Sequence, residues 1–256
     1  MSDFHAVEDG LRNGEFFVEY LPTVELDGGR CVGGEALSRW RRPSGVVPPC
    51  EFMPLIENTA LSGFLTCCVL EQIAHDFLDW LKVNDAFIGI NVPPETLGRG
   101  GLDFVAQRSG LVEVKNKLVA EITERGVPDQ IGIEALNRWA DRGVRIALDD
   151  VGTGGANLVV LARCNVEMIK LDRGLVTQVR RGQPLPGNLD VLTPLLKTGK
   201  LLVVAEGVET AEQADTLKDA GVRLAQGYHF SEPLSADAFK AYFAAHDHGR
   251  PADDGV

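Results

Sequence analysis

Basic residues, aromatics, paired cysteines and long apolar runs are all scarce in this chain of 256 residues. Lys and Arg number 25 against 37 Asp and Glu, a net charge of −12. A protein that grips a nucleic-acid polymer shows a basic face, so the balance argues against that class. An anionic substrate would need a local cation to override the overall field, supplied by metal ions and a few placed Arg and Lys residues. No apolar run approaches the ~18–20 residues of a membrane span. The start, Met1-Ser2-Asp3-Phe4-His5, is polar and acidic and does not read as a signal peptide. Cys31, Cys50, Cys67, Cys68 and Cys164 form an odd set without a CxxC pair or zinc-like spacing. A reducing, cytoplasmic compartment is expected, with the adjacent Cys67 and Cys68 as packing residues. Histidine is equally sparse where chemistry is concerned. His5, His246 and His248 lie near the termini, His75 in a helical stretch and His229 after Gln226-Gly227-Tyr228, and all read as structural or solvated.

What is present is glycine, 28 residues of it, and a hydrophobic fraction of 45%. The length suits one α/β barrel or two small domains. Residues 16–26 and 31–40 are strand-like and joined by Asp27-Gly28-Gly29-Arg30, a hairpin signal. After Ser62 the apolar positions Leu65, Val69, Ile73, Phe77 and Leu81 recur at helical spacing. Apolar runs follow at 86–92, 117–123, 144–151, 166–171 and 201–205, with a shorter one at 222–225. The stretches between them read as helices. Thr210-Ala211-Glu212-Gln213 is a capping box whose helix closes at Gly221, and a helix over 130–142 stops at Gly143.

Continuous apolar strands bracketed by helices are the pattern of a (β/α)8 barrel. The opening hairpin cannot be parallel to itself, so one of its strands should run against the rest. The competing arrangement is an open doubly wound sheet. A single barrel domain over residues 1–245 is expected, with a polar, disordered tail over 246–256.

Almost every apolar run finishes on a residue that a core would not choose. The hairpin's second strand carries Glu35, and the next run carries Asn91. Glu121 is followed by Glu124; Asp149 and Asp150 are adjacent; Lys170 is followed by Asp172. The fifth run leads into Glu206, with Glu209 beyond it, and the last short strand ends at Gln226. In a parallel barrel these ends converge on one rim, where such enzymes keep their sites. A lone acidic residue at a strand end is ordinarily solvated, and Asp-Asp before Gly is often only a turn or cap. The coincidence of so many on one rim is not explained that way. Carboxylates so gathered repel one another unless cations sit among them. With hard oxygen ligands and no His or Cys, the ions should be Mg2+ or Mn2+. The adjacent aspartates could bridge a metal pair ~3.5–4 Å apart, as in phosphodiester displacement. Lys170, held charged there, could orient an attacking water or neutralise phosphoryl oxygen.

These residues resemble the EAL family of cyclic di-GMP phosphodiesterases. Glu35-Ala36-Leu37 followed by Ser38-Arg39-Trp40 is similar to the signature that names it. The likeness continues through 121–124, 149–154, 169–172, 205–210 and 226–228, and spans roughly residues 12–243 in the family's order. It implies a TIM-like (β/α)8 barrel with one antiparallel strand near the N-terminus, hydrolysis of cyclic di-GMP to linear pGpG, two metal ions and a homodimer. The implied metal ligands are Glu35, Asn91, Glu121, Asp149 and Asp150. Glu206 matches a glutamate assigned to metal coordination or general base work, and Lys170 the residue that holds the attacking water. Arg39 would contact substrate phosphate, which suits its guanidinium. Leu37, Asp172, Glu209 and Gln226 are implied at the substrate, and Glu124 in support of the mobile loop.

Departures from the family pattern define the alternative. The usual Gln-Pro-Ile-Val run reads Leu21-Pro22-Thr23-Val24, which removes one polar substrate contact. Asn-x-Ser reads Asn91-Val92-Pro93, keeping the ligand and losing a hydroxyl. After Asp150 the family's Phe-Gly-Thr-Gly-Tyr-Ser-Ser reads Val151-Gly152-Thr153-Gly154-Gly155-Ala156-Asn157, a loop expected to be more mobile. The stretch 181–188, with its Pro and Gly residues, reads as more open than the family's helix start. An active phosphodiesterase is the leading reading. A low-activity or inactive domain that binds cyclic di-GMP or a protein partner is the second, and an unrelated metal-dependent barrel enzyme acting on a carboxylate substrate the third.

Overall fold

Each apolar run becomes a strand because it is covered on both sides, by barrel interior within and by helices without. The computed structural model describes residues 3–123, 126–151, 157–181, 183 and 201–247. Its strands are β1 (Phe16–Glu25), β2 (Cys31–Arg42), β3 (Gly45–Val47), β4 (Phe87–Val92), β5 (Leu118–Ile122), β6 (Arg145–Val151), β7 (Met168–Leu171), β8 (Leu202–Ala205) and β9 (Leu224–Ala225). From β2 through β4 and β5 to β9 every neighbouring pair is parallel. β1 runs antiparallel to both β2 and β9 and closes the ring. The result is a closed eight-stranded barrel with β3 appended to the outer end of β2. Closure rules out the open doubly wound sheet, and β1 is the expected antiparallel strand. β3 was not anticipated; three residues with Gly first give no readable pattern.

Helices cover the outside as the spacing requires. Ala60–Val83 starts with Thr59 Oγ1 accepting from the Leu61 N–H at 3.2 Å, and buries Leu65, Val69, Ile73, Phe77 and Leu81. Gln130–Asp141 is capped by Asp129, and Ala211–Asp219 by the reciprocal bonds of Thr210 and Gln213. Both turn back through a left-handed glycine, Gly143 at φ 95° and Gly221 at φ 92°, where a Cβ would be strained. The helix Ala236–His246 packs across β1 and β2, so His246 belongs to a helix, its ring stacked on Tyr242. Residues 248–256, most of the expected tail, lie outside the described residues. All five cysteines are free, with Cys67 and Cys68 half-buried. Among the described residues no helix is long and apolar enough to cross a membrane.

Strand alternation divides the barrel interior into layers. Phe87, Val119, Ala147, Met168, Val204 and Leu224 pack against one another as an apolar layer. Side chains two positions further along a strand point the same way. Those positions are Gly89, Glu121, Asp149, Lys170, Glu206 and Gln226. The polar layer is therefore one pleat above an apolar plug.

Candidate functional site

Lys170 stands at the centre of that polar layer, 1% exposed. Its Nζ lies 2.8 Å from Glu35 Oε2, 2.7 Å from Glu121 Oε2, 2.6 Å from Glu206 Oε1 and 3.4 Å from Asp149 Oδ1. Glu35, projecting from β2, also receives Asn91 Nδ2 at 2.7 Å and Gln226 Nε2 at 2.6 Å. Because Asn91 spends its amide nitrogen on Glu35, its oxygen is the atom with which it could coordinate. Glu121 fits only because β4 has a glycine beside it: a Cβ on Gly89 would stand 2.0 Å from Glu121 Oε1. That glycine is required by close approach, a role its place inside an apolar run does not reveal.

Asp149 and Asp150 would face opposite sides of a regular strand. The register between β6 and β7 slips between Leu148 and Val151, giving β6 an extra residue there. Asp150 takes the left-handed region at φ 53°, at a cost of roughly 1–2 kcal/mol, and its N–H donates to Asp149 Oδ1 at 3.0 Å. This bulge re-aims the pair. Oxygens of Asp149, Asp150 and Glu206 come within 4.8 Å of one another, a grouping able to hold a metal ion.

Charge in the site is unbalanced, with Glu35, Glu121, Asp149, Asp150 and Glu206 against one ammonium. Like charges about 4 Å apart repel by about 4 kcal/mol at an effective dielectric near 20. The protonation equilibria respond accordingly. Burial raises the Glu121 carboxyl well above its ordinary range; Lys170 pulls it down, but Glu35 and Asp149 push it back up. Glu206 is raised in the same way by burial and by Asp149 and Glu35. Glu35 is also pushed up by burial, yet Lys170 and the N–H donors of Gln226 and Asn91 hold it below the usual carboxylate range. Glu35 differs from Glu121 in having the two amide donors, while Glu121 carries the repulsion of Glu35 and Asp149. Burial alone would lower Lys170, but the carboxylates around it raise it well above an ordinary lysine, so it stays charged. A pocket that drives protons onto two of its carboxylates is one that a hard divalent cation would relieve. The donor set fits Mg2+ or Mn2+.

Beside the Asp149–Asp150 bulge opens a cleft of about 270 Å3, lined among others by Leu37, Asn91, Met53, Asn58 and Pro94. Its far wall is held by Glu95, whose Oε1 accepts from Asn58 N at 2.9 Å and Ser62 Oγ at 2.8 Å. Nothing in the spacing of Glu95 distinguishes it from a solvated acid.

The structure thus unites Glu35, Asn91, Glu121, Asp149, Asp150, Lys170, Glu206 and Gln226. Leu37 lines the cleft. Arg39 is occupied elsewhere, donating to Glu19 Oε2 at 2.8 Å and to the Ser38 carbonyl at 3.1 Å. Asp172 starts the short helix Arg173–Val176, and Glu209 accepts from Arg173 Nη2 at 2.6 Å at the surface. Gln226 is 3% exposed and lies within the layer, bonded to Glu35 and Glu206, rather than along the cleft. Glu124, residues 152–156 of the altered loop, residue 182 and residues 184–188 of the stretch 181–188 lie outside the described residues. His5, His75, His229 and His246 make their described contacts away from the layer, with Glu8, Asp76, Phe230 and Tyr242 among their partners.

A barrel with this strand order and this carboxylate layer can be set beside known proteins. The model of the EAL domain matches residues 5–233. The chain belongs to the EAL-domain family. Two relatives in Escherichia coli K12 bear the names "Probable cyclic di-GMP phosphodiesterase" PdeN and PdeB. PdeN is 35% identical over 235 residues, covering 90% of this chain and 45% of the relative. PdeB is 31% identical over 250 residues, covering 96% and 48%. The chain spans about half the length of these curated relatives. Among solved structures, the PaMucR phosphodiesterase in complex with c-di-GMP superposes with a TM-score of 0.80 at 28% identity, over 92% of this chain and 98% of that one. The EAL enzyme Bd1971 with cAMP and cyclic-di-GMP bound gives 0.79 at 28% identity, over 94% and 68%. The FimX EAL domain of Xanthomonas citri, in complex with c-diGMP, gives 0.74 at 18% identity and supports the fold alone.

Proposed function

We propose that this chain hydrolyses cyclic di-GMP to linear pGpG with Mg2+ or Mn2+. The observation that carries the reading is Lys170, buried against four carboxylates beside the strained Asp149–Asp150 pair at the mouth of the cleft. Glu35, Asn91, Glu121, Asp149 and Asp150 would hold the metal ions, with Glu206 able to join them. When bound, such ions lower the pKa of water and neutralise phosphoryl oxygens.

The chain's own residues do the rest. By turning one of its three N–H donors from a carboxylate to the attacking water, Lys170 keeps that water's lone pair aimed at phosphorus, while its remaining carboxylate contacts hold the ammonium in place. Glu206, at 2.6 Å from Lys170 and with its carboxyl raised well above the usual range by burial, is placed to take a proton from that water. As the water oxygen bonds to phosphorus, the bond to the ribose 3′ oxygen breaks, and that oxygen takes up a proton from solvent while Glu206 gives up the one it received, so that a 3′ hydroxyl and pGpG result. Leu37 and the cleft would take a nucleotide portion. Arg39 would reach phosphate on exchanging Glu19, and Asp172 and Glu209 would line the outer rim. Glu124 is proposed to support the loop after Asp150. We further place the reaction in the cytoplasm, in keeping with five unpaired thiols, and in a homodimer, in keeping with the family resemblance.

Purified protein incubated with cyclic di-GMP and Mg2+, with and without EDTA, tests the reading by chromatography. Product that vanishes on chelation supports it. Binding without product would instead support a cyclic di-GMP-binding module, and neither would overturn both.

A further inference from the structure

A carboxamide presents a donor at one end and an acceptor at the other, so Gln226 can serve the carboxylates only if it is turned the right way. Its Nε2 lies 2.6 Å from Glu35 Oε2 and 3.3 Å from Glu206 Oε1. Glu35 Oε2 already receives the Lys170 ammonium at 2.8 Å and is an acceptor, so the amide nitrogen must lie on that side. The Gln226 oxygen then points toward β1, the strand paired with β9 beside it. There the hydroxyl of Thr23, 2% exposed on the antiparallel strand β1, donates to it at 3.3 Å.

We propose that Thr23 is a positioning residue for the metal site: its hydroxyl fixes the Gln226 amide, which in turn fixes Glu35 and Glu206. The inference rests on the metal site proposed above and extends it to a residue that touches neither metal nor substrate. It concerns a departure of this chain, since the family's Gln-Pro-Ile-Val run has an aliphatic residue where Thr23 stands. The same run has Leu21 in place of Gln, directly opposite Glu35 in the β1–β2 register. Thr23 is therefore where β1 makes its polar contribution to the layer. An aliphatic side chain at 23 would leave the buried Gln226 oxygen without this donor, and the amide would be free to turn away from Glu35.

Mn2+ binding, measured by titration calorimetry without any nucleotide, tests this on the parent, Thr23→Val, Thr23→Ser, Gln226→Leu and the Thr23→Val/Gln226→Leu double variant. Outer-shell partners of metal ligands commonly matter by ~10–100-fold, and one step further out Thr23→Val should weaken Mn2+ by roughly three- to tenfold. Thr23→Ser, which keeps the hydroxyl, should stay within about twofold of the parent. The double variant should bind no more weakly than Gln226→Leu alone, because the hydroxyl acts through the amide. Melting in EDTA reports folding, and Thr23→Ala replaces the Val variant if that one fails to fold. A parent-like Thr23→Val, a Ser variant as weak as Val, or additive losses in the double variant would each overturn the relay while leaving the metal site standing. A parent that takes up no Mn2+ overturns both.

Discussion

The two layers of the barrel interior share a geometry and differ in everything else. Phe87, Val119, Ala147, Met168, Val204 and Leu224 form a plug that any hydrophobic set of the right volume could provide. One pleat above, Glu121, Asp149, Lys170, Glu206 and Gln226 stand on the same strands, and each is held by named partners at hydrogen-bond or ion-pair distance. The lower layer supports the fold and tolerates the upper one. The upper layer stores repulsion that protonation of Glu121 and Glu206, or a bound cation, would relieve. Stability and function are thus separated by two residues along each strand.

Changes in the two layers should accordingly have different signatures. The largest effect is expected from Lys170→Met, which strips the one ammonium from four carboxylates. Leaving buried charges uncompensated costs about 3–5 kcal/mol, so the metal-free protein should unfold at much lower urea. Turnover to pGpG should fall by roughly a thousandfold, on the scale of losing one charge-stabilising donor. A variant with parental stability in EDTA would mean that Lys170 is not what balances the layer.

Met168→Ala lies one pleat below and should be the mirror case. Truncating it costs about 2–5 kcal/mol of stability through the cavity left behind, while Mn2+ affinity stays near the parent's. Matching losses of stability and affinity would show that the layers are not separable.

Glu121→Gln should change sign. The amide keeps an acceptor for Lys170 and removes one negative charge, so the melting temperature in EDTA should rise by a few degrees (~2–4 °C for ~1 kcal/mol in a domain of this size). Mn2+ binding should weaken by at least about tenfold. A lower melting point in EDTA would contradict the repulsion account.

A smaller effect, read on the parent, is the pH dependence of stability. Glu121 and Glu206 have folded-state pKa values raised above their unfolded ones, so the stability they confer is present below about 4.5 and is lost as pH rises through the folded values. Glu35 is lowered, and its contribution is complete above that range, being lost only as pH falls. Lys170 is raised, and its contribution is complete below about 10.4. Of Glu35, Glu121, Glu206 and Lys170, the two raised glutamates are the ones whose contributions change from mildly acidic pH upward. The EDTA-treated protein should therefore grow less stable with rising pH, and saturating Mn2+ should flatten that slope. Melting curves across the pH series provide the check.

How far the sequence alone revealed this depends on range. Strands were legible because an apolar run ending on Glu, Asn, Asp or Lys breaks the core's own rule, and period two then set the polar ends on one level. The capping box and the left-handed glycines at 143 and 221 were legible because they act within a few residues. Between segments distant in the chain the signals fade. Thr23 and Gln226 meet over 203 positions of chain, and neither has a pattern that names the other. Gly89 looks like an unremarkable strand glycine until Glu121 needs its space. The bulge at Asp150 depends on register against β7, which no linear motif encodes. Arg39 reads as free to meet phosphate because Glu19, its ion-pair partner on the adjacent strand, belongs to another segment.

The central claim is that the polar layer is a divalent-cation site, and anomalous diffraction from crystals grown with Mn2+ tests it most directly. The account predicts anomalous density within coordination distance of Asp149, Asp150 and Glu206, with Glu35, Asn91 and Glu121 completing the shell and the Lys170 ammonium beside it. Density elsewhere in the molecule, or none in this layer at saturating Mn2+, would contradict it.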